Sequence, residues 1–303
     1  MPKRQRKFAV YDVFTSQRLA GNPLAVVFDP DGLDDGAMQA IAGEFNLSET
    51  VFILPPNNKA HRANVRIFTP MHELPFAGHP TVGAAIAITE AAGGETPSIF
   101  VLEEKVGPVR CAVSSGPDGM FAEFDLPRLP EPVAFSADPA ALAASLGLAP
   151  QEIGFENHVV SAYSGGVPYI LVPVAGLAAA AKADLDTRAW IALTGPVEAL
   201  SPGAFVYCRE TVGSGNAFHA RMFAEHLGIP EDPATGSAVA SFAGAVMRFD
   251  KPTDGVSRHA IEQGVEMGRP SLIRLELDVR QGELAGARIG GSAVKVSEGV
   301  LLV

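Results

Sequence analysis

The chain has 303 residues, a length that suits two domains of ordinary size. With 47% hydrophobic and 19% charged residues it reads as a folded soluble protein, not a disordered one. A formal net charge of −11 makes nucleic acid and anionic membranes poor partners, but leaves room for a small anionic ligand held by local donors.

The basic segment 1–7 leads straight into a strand-like run without the apolar core of a signal peptide. No apolar run approaches the roughly 20 residues of a membrane helix, so the expected location is the cytoplasm. Further strand-like runs follow at 24–28, 50–54, 63–68, 99–103, 109–113 and 121–125, rich in Val, Ile and Phe and bounded by Gly, Pro, Asn and Asp. Met38, Ile41, Ala42 and Phe45 mark one face of an amphipathic helix, with Asp34 or Asp35 as its cap. A second helix is expected to open at His79-Pro80, with Pro80 in the first helical position. Its body is small and apolar on almost every side, the mark of a buried helix, and Gly93-Gly94 ends it.

Three prolines in 127–132 exclude a central strand or a helix and place a domain boundary near residue 130. Strand-like runs recur at 159–161, 169–174, 204–208 and 217–223. A second buried helix is expected at Asp232-Pro233, with Asp232 as N-cap, and the closing strands at 272–277, 287–290, 293–296 and 299–303.

The two buried helices overlay without a gap, His79 falling on Asp232 and Gly83 on Gly236. Upstream of each lies a matching strand, Arg66-Ile67-Phe68 and Arg221-Met222-Phe223, and before that Gly21-Asn22-Pro23 and Gly166-Val167-Pro168. Duplication of a whole domain is the expected cause. If the halves face each other, two helix starts meet at one cleft. Their free N–H groups around Gly83, Ala84, Gly236 and Ser237 would then bind a carboxylate or phosphate.

Five motifs, in order, are Gly21-Asn22-Pro23, Ser48-Glu49-Thr50, Gly78-His79-Pro80-Thr81-Val82-Gly83, Glu231-Asp232-Pro233-Ala234-Thr235-Gly236-Ser237 and Gly268-Arg269-Pro270-Ser271. Together they resemble the PhzF-like proteins of phenazine biosynthesis. The resemblance implies an α+β, diaminopimelate epimerase-like fold: two pseudo-symmetric barrel-like domains, each wrapped round a central helix. The domains would be 1–128 and 129–291, with the last strand, about 292–303, as a candidate to complete the first. It also implies that Glu49 is the acid/base residue, that His79, Asp232 and Ser237 line the site beside Gly78, Gly83 and Gly236, and that the protein is a homodimer.

The expected function is a cofactor-independent isomerase that shifts a proton at a carbon acid of a small carboxylate-bearing substrate. Burial of Glu49 would bring its pKa toward working pH. His79 would position substrate or donate to developing charge, Asp232 would hold an amino or hydroxyl group or act as a second proton-transfer group, and Ser237 would donate to the carboxylate. Alternatives are an epimerase or racemase, and a binding protein without catalysis. Cys111 and Cys208 read as buried thiols, away from any helix-start motif, which disfavours two-thiol chemistry. His72, His158, His219, His226 and His259 lack metal spacing, and Gly213-Ser214-Gly215-Asn216 is a turn rather than a phosphate loop. Neither a metal nor a nucleotide cofactor is expected.

Overall fold

The structure is a computed structural model describing residues 5–195, 202–224 and 229–303. His226 lies outside the described residues. The chain divides into two compact units, 1–127 with 290–303, and 128–289. The first unit contains β1 (Gln5–Val13), β2 (Asn22–Phe28), α1 (Asp35–Phe45), β3 (Glu49–Leu54), β4 (Ala63–Phe68), β5 (Glu73–Leu74), α2 (Gly78–Ala91), β6 (Ser98–Glu104), β7 (Gly107–Gly116) and β8 (Gly119–Asp125). The second contains β9 (Glu131–Pro132), α3 (Pro139–Ser145), β10 (Ser161–Ser164), β11 (Pro168–Pro173), α4 (Leu177–Lys182), α5 (Thr187–Thr194), β12 (Gly203–Cys208), β13 (Phe218–Ala224), β14 (Ile229–Asp232), α6 (Gly236–Phe249), β15 (Gly255–Gln263) and β16 (Ser271–Arg280). The chain leaves the second unit along β17 (Glu283–Leu302) and ends in the first.

In the first unit β1 pairs with β2, β3 with β4, β6 with β7 and β7 with β8, all antiparallel; β2–β3 and β4–β6 are parallel. β17 then pairs with both β8 and β1, so eight strands close into a barrel. Closure removes every sheet edge and leaves an interior that side chains must fill. Here α2 fills it. Every residue of 78–89 is buried, and the helix packs on β1, β2, β3, β7 and β8. That requires small residues. A Cβ at Gly83 would stand 2.5 Å from Leu24 Cδ2 and 2.9 Å from Val13 Cγ2, so the glycine lets helix and strands approach.

The three closing strands expected over 287–303 are one strand. Gly290 and Gly291, at the junction of the first two of these pieces, are points of close approach: a Cβ at Gly290 would stand 2.6 Å from the Phe121 ring, and one at Gly291 would collide with Phe14. The register against β1 shifts between Val10, opposite Ser297, and Tyr11, opposite Lys295, so Val296 is the extra residue of a bulge.

The second unit repeats the order of pairings. β10–β11 is antiparallel, β11–β12 parallel, β12–β13 antiparallel, β13–β14 antiparallel, β13–β15 parallel and β15–β16 antiparallel. The corresponding pairs of the first unit, from β1–β2 to β6–β7 and including the short antiparallel β4–β5, carry the same senses. The repeated Arg-x-Phe is used identically. Arg66 bonds Glu73 of β5 at 2.7 Å and lies over the Phe68 ring; Arg221 bonds Glu231 of β14 at 2.8 Å and lies over Phe223.

The short helices α3, α4 and α5 were not expected, nor was β15. The helices have six to eight residues, too few for a periodic signal. Their cap residues were visible: Asp138 accepts from Ala141 N–H, with Pro139 in the first turn, and Asp186 accepts from Ala189 N–H. They bury Leu142, Ala179, Ala180 and Trp190 against Ile170, Val172, Ala204 and Val206. Of the two expected caps of α1 it is Asp34 that accepts from Ala37 N–H; Asn46 closes that helix at φ 51°.

Candidate active site

Glu49 is the first residue of β3 and lies opposite Leu24 in the parallel pairing with β2. It is 9% exposed. Its Oε2 stands 3.4 Å from Nδ1 of His79, and the Asn22 amide stands 3.3 Å from the same nitrogen. Asn22 opens β2 directly after Gly21, which has φ 65°. The Gly-Asn-Pro motif is therefore the turn that delivers Asn22 to the imidazole.

His79 is not the residue that opens α2. The helix begins at Gly78 after an Ala77 cap, so His79 is the second helical residue and Pro80 the third, two positions further into the helix than expected. Proline is tolerated there because first-turn N–H groups have no partner inside the helix. Thr81 N–H already donates to Ala77 O, so the free first-turn N–H groups are those of Gly78 and His79. Gly83 and Ala84 lie deeper, where the helical ladder takes the N–H, and Gly83 serves packing on Leu24 and Val13.

Burial pushes the His79 pKa down to about 3, against a weaker opposing hydrogen bond to Pro23. The imidazole is therefore neutral at neutral pH. Nε2 is buried without a hydrogen-bond partner among the described residues. An unfolded histidine takes up a proton near pH 6.5 and this one only near 3, so between those values the unfolded state holds the extra proton. Stability is expected to fall as pH drops through that window, by an amount on the order of a few kcal/mol. Urea denaturation at pH 7 and pH 4.5 checks this; His79→Asn should flatten the difference, and an equal slope in both proteins would contradict it.

In the second unit Asp232 is not the cap of α6. It ends β14, opposite Met222, and the helix begins four residues later at Gly236 after Thr235. The Asp232 carboxylate instead accepts from Thr235 Oγ1 at 2.5 Å. Gln263 donates from Nε2 to Asp232 O at 2.6 Å and accepts from Thr235 N–H, which holds the segment 232–235 extended. The two helix starts therefore pair Gly78 with Gly236 and His79 with Ser237, where the gapless overlay paired His79 with Asp232. Gly236, Ser237 and Ala238 carry the free first-turn N–H groups, since Val239 N–H donates to Thr235 O. Ser237 Oγ lies 2.8 Å from Tyr169 OH, and Asp232 is 5% exposed. Thr235, Gln263 and Asn22 were not singled out in sequence; Asn22 and Thr235 lie inside the quoted motifs, whereas nothing local marks Gln263.

The remaining chemistry-bearing residues have other partners. Cys111 and Cys208 are buried free thiols, and burial raises both pKa values, that of Cys208 to about 12. His158 lies between Tyr207 OH and Asp250, and His219 between Glu262 and Glu266. The turn at Gly213 cradles the protein's own anion: Val212 and Gly213 N–H donate to the Glu262 carboxylate. Among the described residues no cluster of three or more His, Cys, Asp or Glu could hold a metal ion, and no helix is long and apolar enough to cross a membrane.

The family model described as phenazine biosynthesis-like protein, PhzC-PhzF, matches residues 11–299. An uncharacterized isomerase of Mesorhizobium japonicum is 61% identical, over 98% of this chain and 99% of that protein. The trans-2,3-dihydro-3-hydroxyanthranilate isomerase of Pseudomonas aeruginosa is 35% identical, over 97% of this chain and 98% of the enzyme. The crystal structure of a PhzF-family phenazine biosynthesis protein from Bacillus anthracis superposes with a TM-score of 0.89 at 26% identity, covering 99% of this chain and 100% of that one. With its Glu49–His79 pair set in that fold, the chain belongs to the PhzF family and is an isomerase of that family.

Proposed function

We propose that the protein moves a proton between two positions of a small carboxylate-bearing carbon acid, with Glu49 as the group that takes it and returns it. The observation that carries this is the Glu49 carboxyl, buried to 9% exposure and 3.4 Å from a neutral imidazole at the start of a buried helix. A carboxylate so placed removes a proton from the carbon, leaving an electron pair that delocalises into the adjacent unsaturated system. The resulting acid delivers the same proton to another carbon of that system. The N–H groups of Gly78 and His79, at the positive end of α2, are suited to the negative charge that develops meanwhile. His79 Nε2 hydrogen-bonds a polar group of the substrate.

In the second unit the Asp232 carboxylate is suited to hold a polar group, and the first-turn N–H groups of Gly236 and Ser237 are suited to an anion. Two barrel-like domains, each built round its central helix, are the architecture we infer from the shared order of pairings and the two Arg-Glu pairs. The reaction needs no added cofactor on this reading, and a cytoplasmic homodimer is the form we propose for the protein.

The test is a solvent-deuterium exchange screen. Small amino and hydroxy acids, with trans-2,3-dihydro-3-hydroxyanthranilate as the first compound, are incubated in D2O with the enzyme and read by mass and NMR. Enzyme-dependent incorporation with a shifted double bond is expected. Incorporation with inverted configuration and no shift would make the protein an epimerase. Tight binding without exchange by any compound would defeat the catalytic reading.

A further inference from the structure

Glu104, the last residue of β6, is 6% exposed and outside the group just described. Its Oε1 lies 2.7 Å from Thr81 Oγ1, and the same hydroxyl lies 2.8 Å from Ala77 O. A hydroxyl has one proton. The carbonyl of Ala77 can only accept, so both contacts are hydrogen bonds only when Glu104 is a neutral acid. The carboxyl O–H then donates to Thr81, and Thr81 donates to Ala77. The other oxygen, Oε2, is buried with no partner among the described residues, which a neutral carboxyl tolerates far better than a carboxylate. Burial raises the Glu104 pKa to about 8.

Among the described residues no ion pair joins Glu104 to a cation, and Arg110 on the neighbouring strand pairs with Asp125. Lys105 pairs with Glu73, Glu103 is engaged by Asn57, Asn58 and His61, Cys111 on the neighbouring strand is held as a thiol by burial, and His79 on α2 is neutral. The relay ends on Ala77, the cap of α2, immediately before the two free N–H groups of Gly78 and His79. The same hairpin also reaches the preceding segment, Val106 N–H donating to Pro75 O.

We infer that Glu104 is a positioning residue, a buried carboxylic acid that locks the first turn of α2 through Thr81 and Ala77 and so holds His79 and its neighbouring N–H groups in place. This rests on the proposed role of that helix start. Ionisation of Glu104 leaves Thr81 with two acceptors and one proton, and the turn loosens.

Amide exchange decides the point without any turnover. Protection of Thr81 and the following turn is followed from pH 6 to 10, corrected for intrinsic rates, with α6 amides as the control for global opening. The wild type is expected to lose at least tenfold protection at this turn on passing pH 8. Glu104→Gln should keep it level, because the side-chain amide donates to Thr81 at every pH, and Thr81→Val should be weakly protected throughout. Should Thr81→Val not fold, the other two proteins suffice. A level profile in the wild type, or the same loss in Glu104→Gln, overturns the inference. With a compound that exchanges deuterium, the wild type should also lose kcat above pH 8 and Glu104→Gln should not, with KM changing less than kcat. If no compound exchanges, the catalytic reading fails while the amide data still decide the role of Glu104.

Discussion

Glu49→Gln is expected to lower enzyme-dependent deuterium incorporation and turnover by about 10²–10⁴-fold, the usual range for a positioned acid/base group. Glutamine keeps the shape of the side chain and can still hydrogen-bond near His79. It cannot take a proton from carbon and return it. The loss should therefore appear in kcat with little change in substrate binding. Circular dichroism and a thermal melt close to wild type would show that the barrel is intact. An unchanged exchange rate in a folded Glu49→Gln protein would remove Glu49 from the mechanism.

Gly21→Ala should produce the largest loss of stability of any single methyl group near the site. Gly21 has φ 65°, where a side chain costs roughly 1–2 kcal/mol. An added Cβ would also fall inside contact distance of the Val13 carbonyl oxygen and of the Thr15 side chain. Overpacking of this kind adds about 1–3 kcal/mol. A loss of about 2–5 kcal/mol in urea denaturation is expected, and since Asn22 follows directly, any folded fraction should show reduced kcat. A change below about 0.5 kcal/mol would mean that the turn relaxes freely.

Much of the candidate site was legible because its residues occupy local motifs. Glu49 ends a turn and opens an apolar run. Gly21-Asn22-Pro23 marks a tight turn, and two helices apolar on all faces can only be buried. Membership of the PhzF family follows from the order of those motifs and agrees with the match over residues 11–299. The helix starts were less legible. Pro80 and Pro233 both fit a first turn, but Pro80 is third in α2 and Pro233 precedes α6 altogether. The difference lies in distant partners: Gln263, 28 residues beyond Thr235, holds the second segment extended.

The acid and the histidine to watch came from the resemblance to the PhzF family; the sequence by itself determined which segments are buried and that the chain repeats a strand-strand-helix plan. These properties depend on composition and spacing within a few residues, where backbone sterics and hydrophobic periodicity act directly. Only the tertiary structure decided how those groups are used. It made one 20-residue strand of three expected pieces, because Gly290 and Gly291 admit Phe121 and Phe14. It turned Gly83 from a ligand donor into a packing contact, and Asp232 from a helix cap into the acceptor of the Thr235 hydroxyl. It also made His79 neutral and Glu104 acidic only near pH 8, since desolvation depends on every neighbour that excludes water, wherever that neighbour lies in the chain.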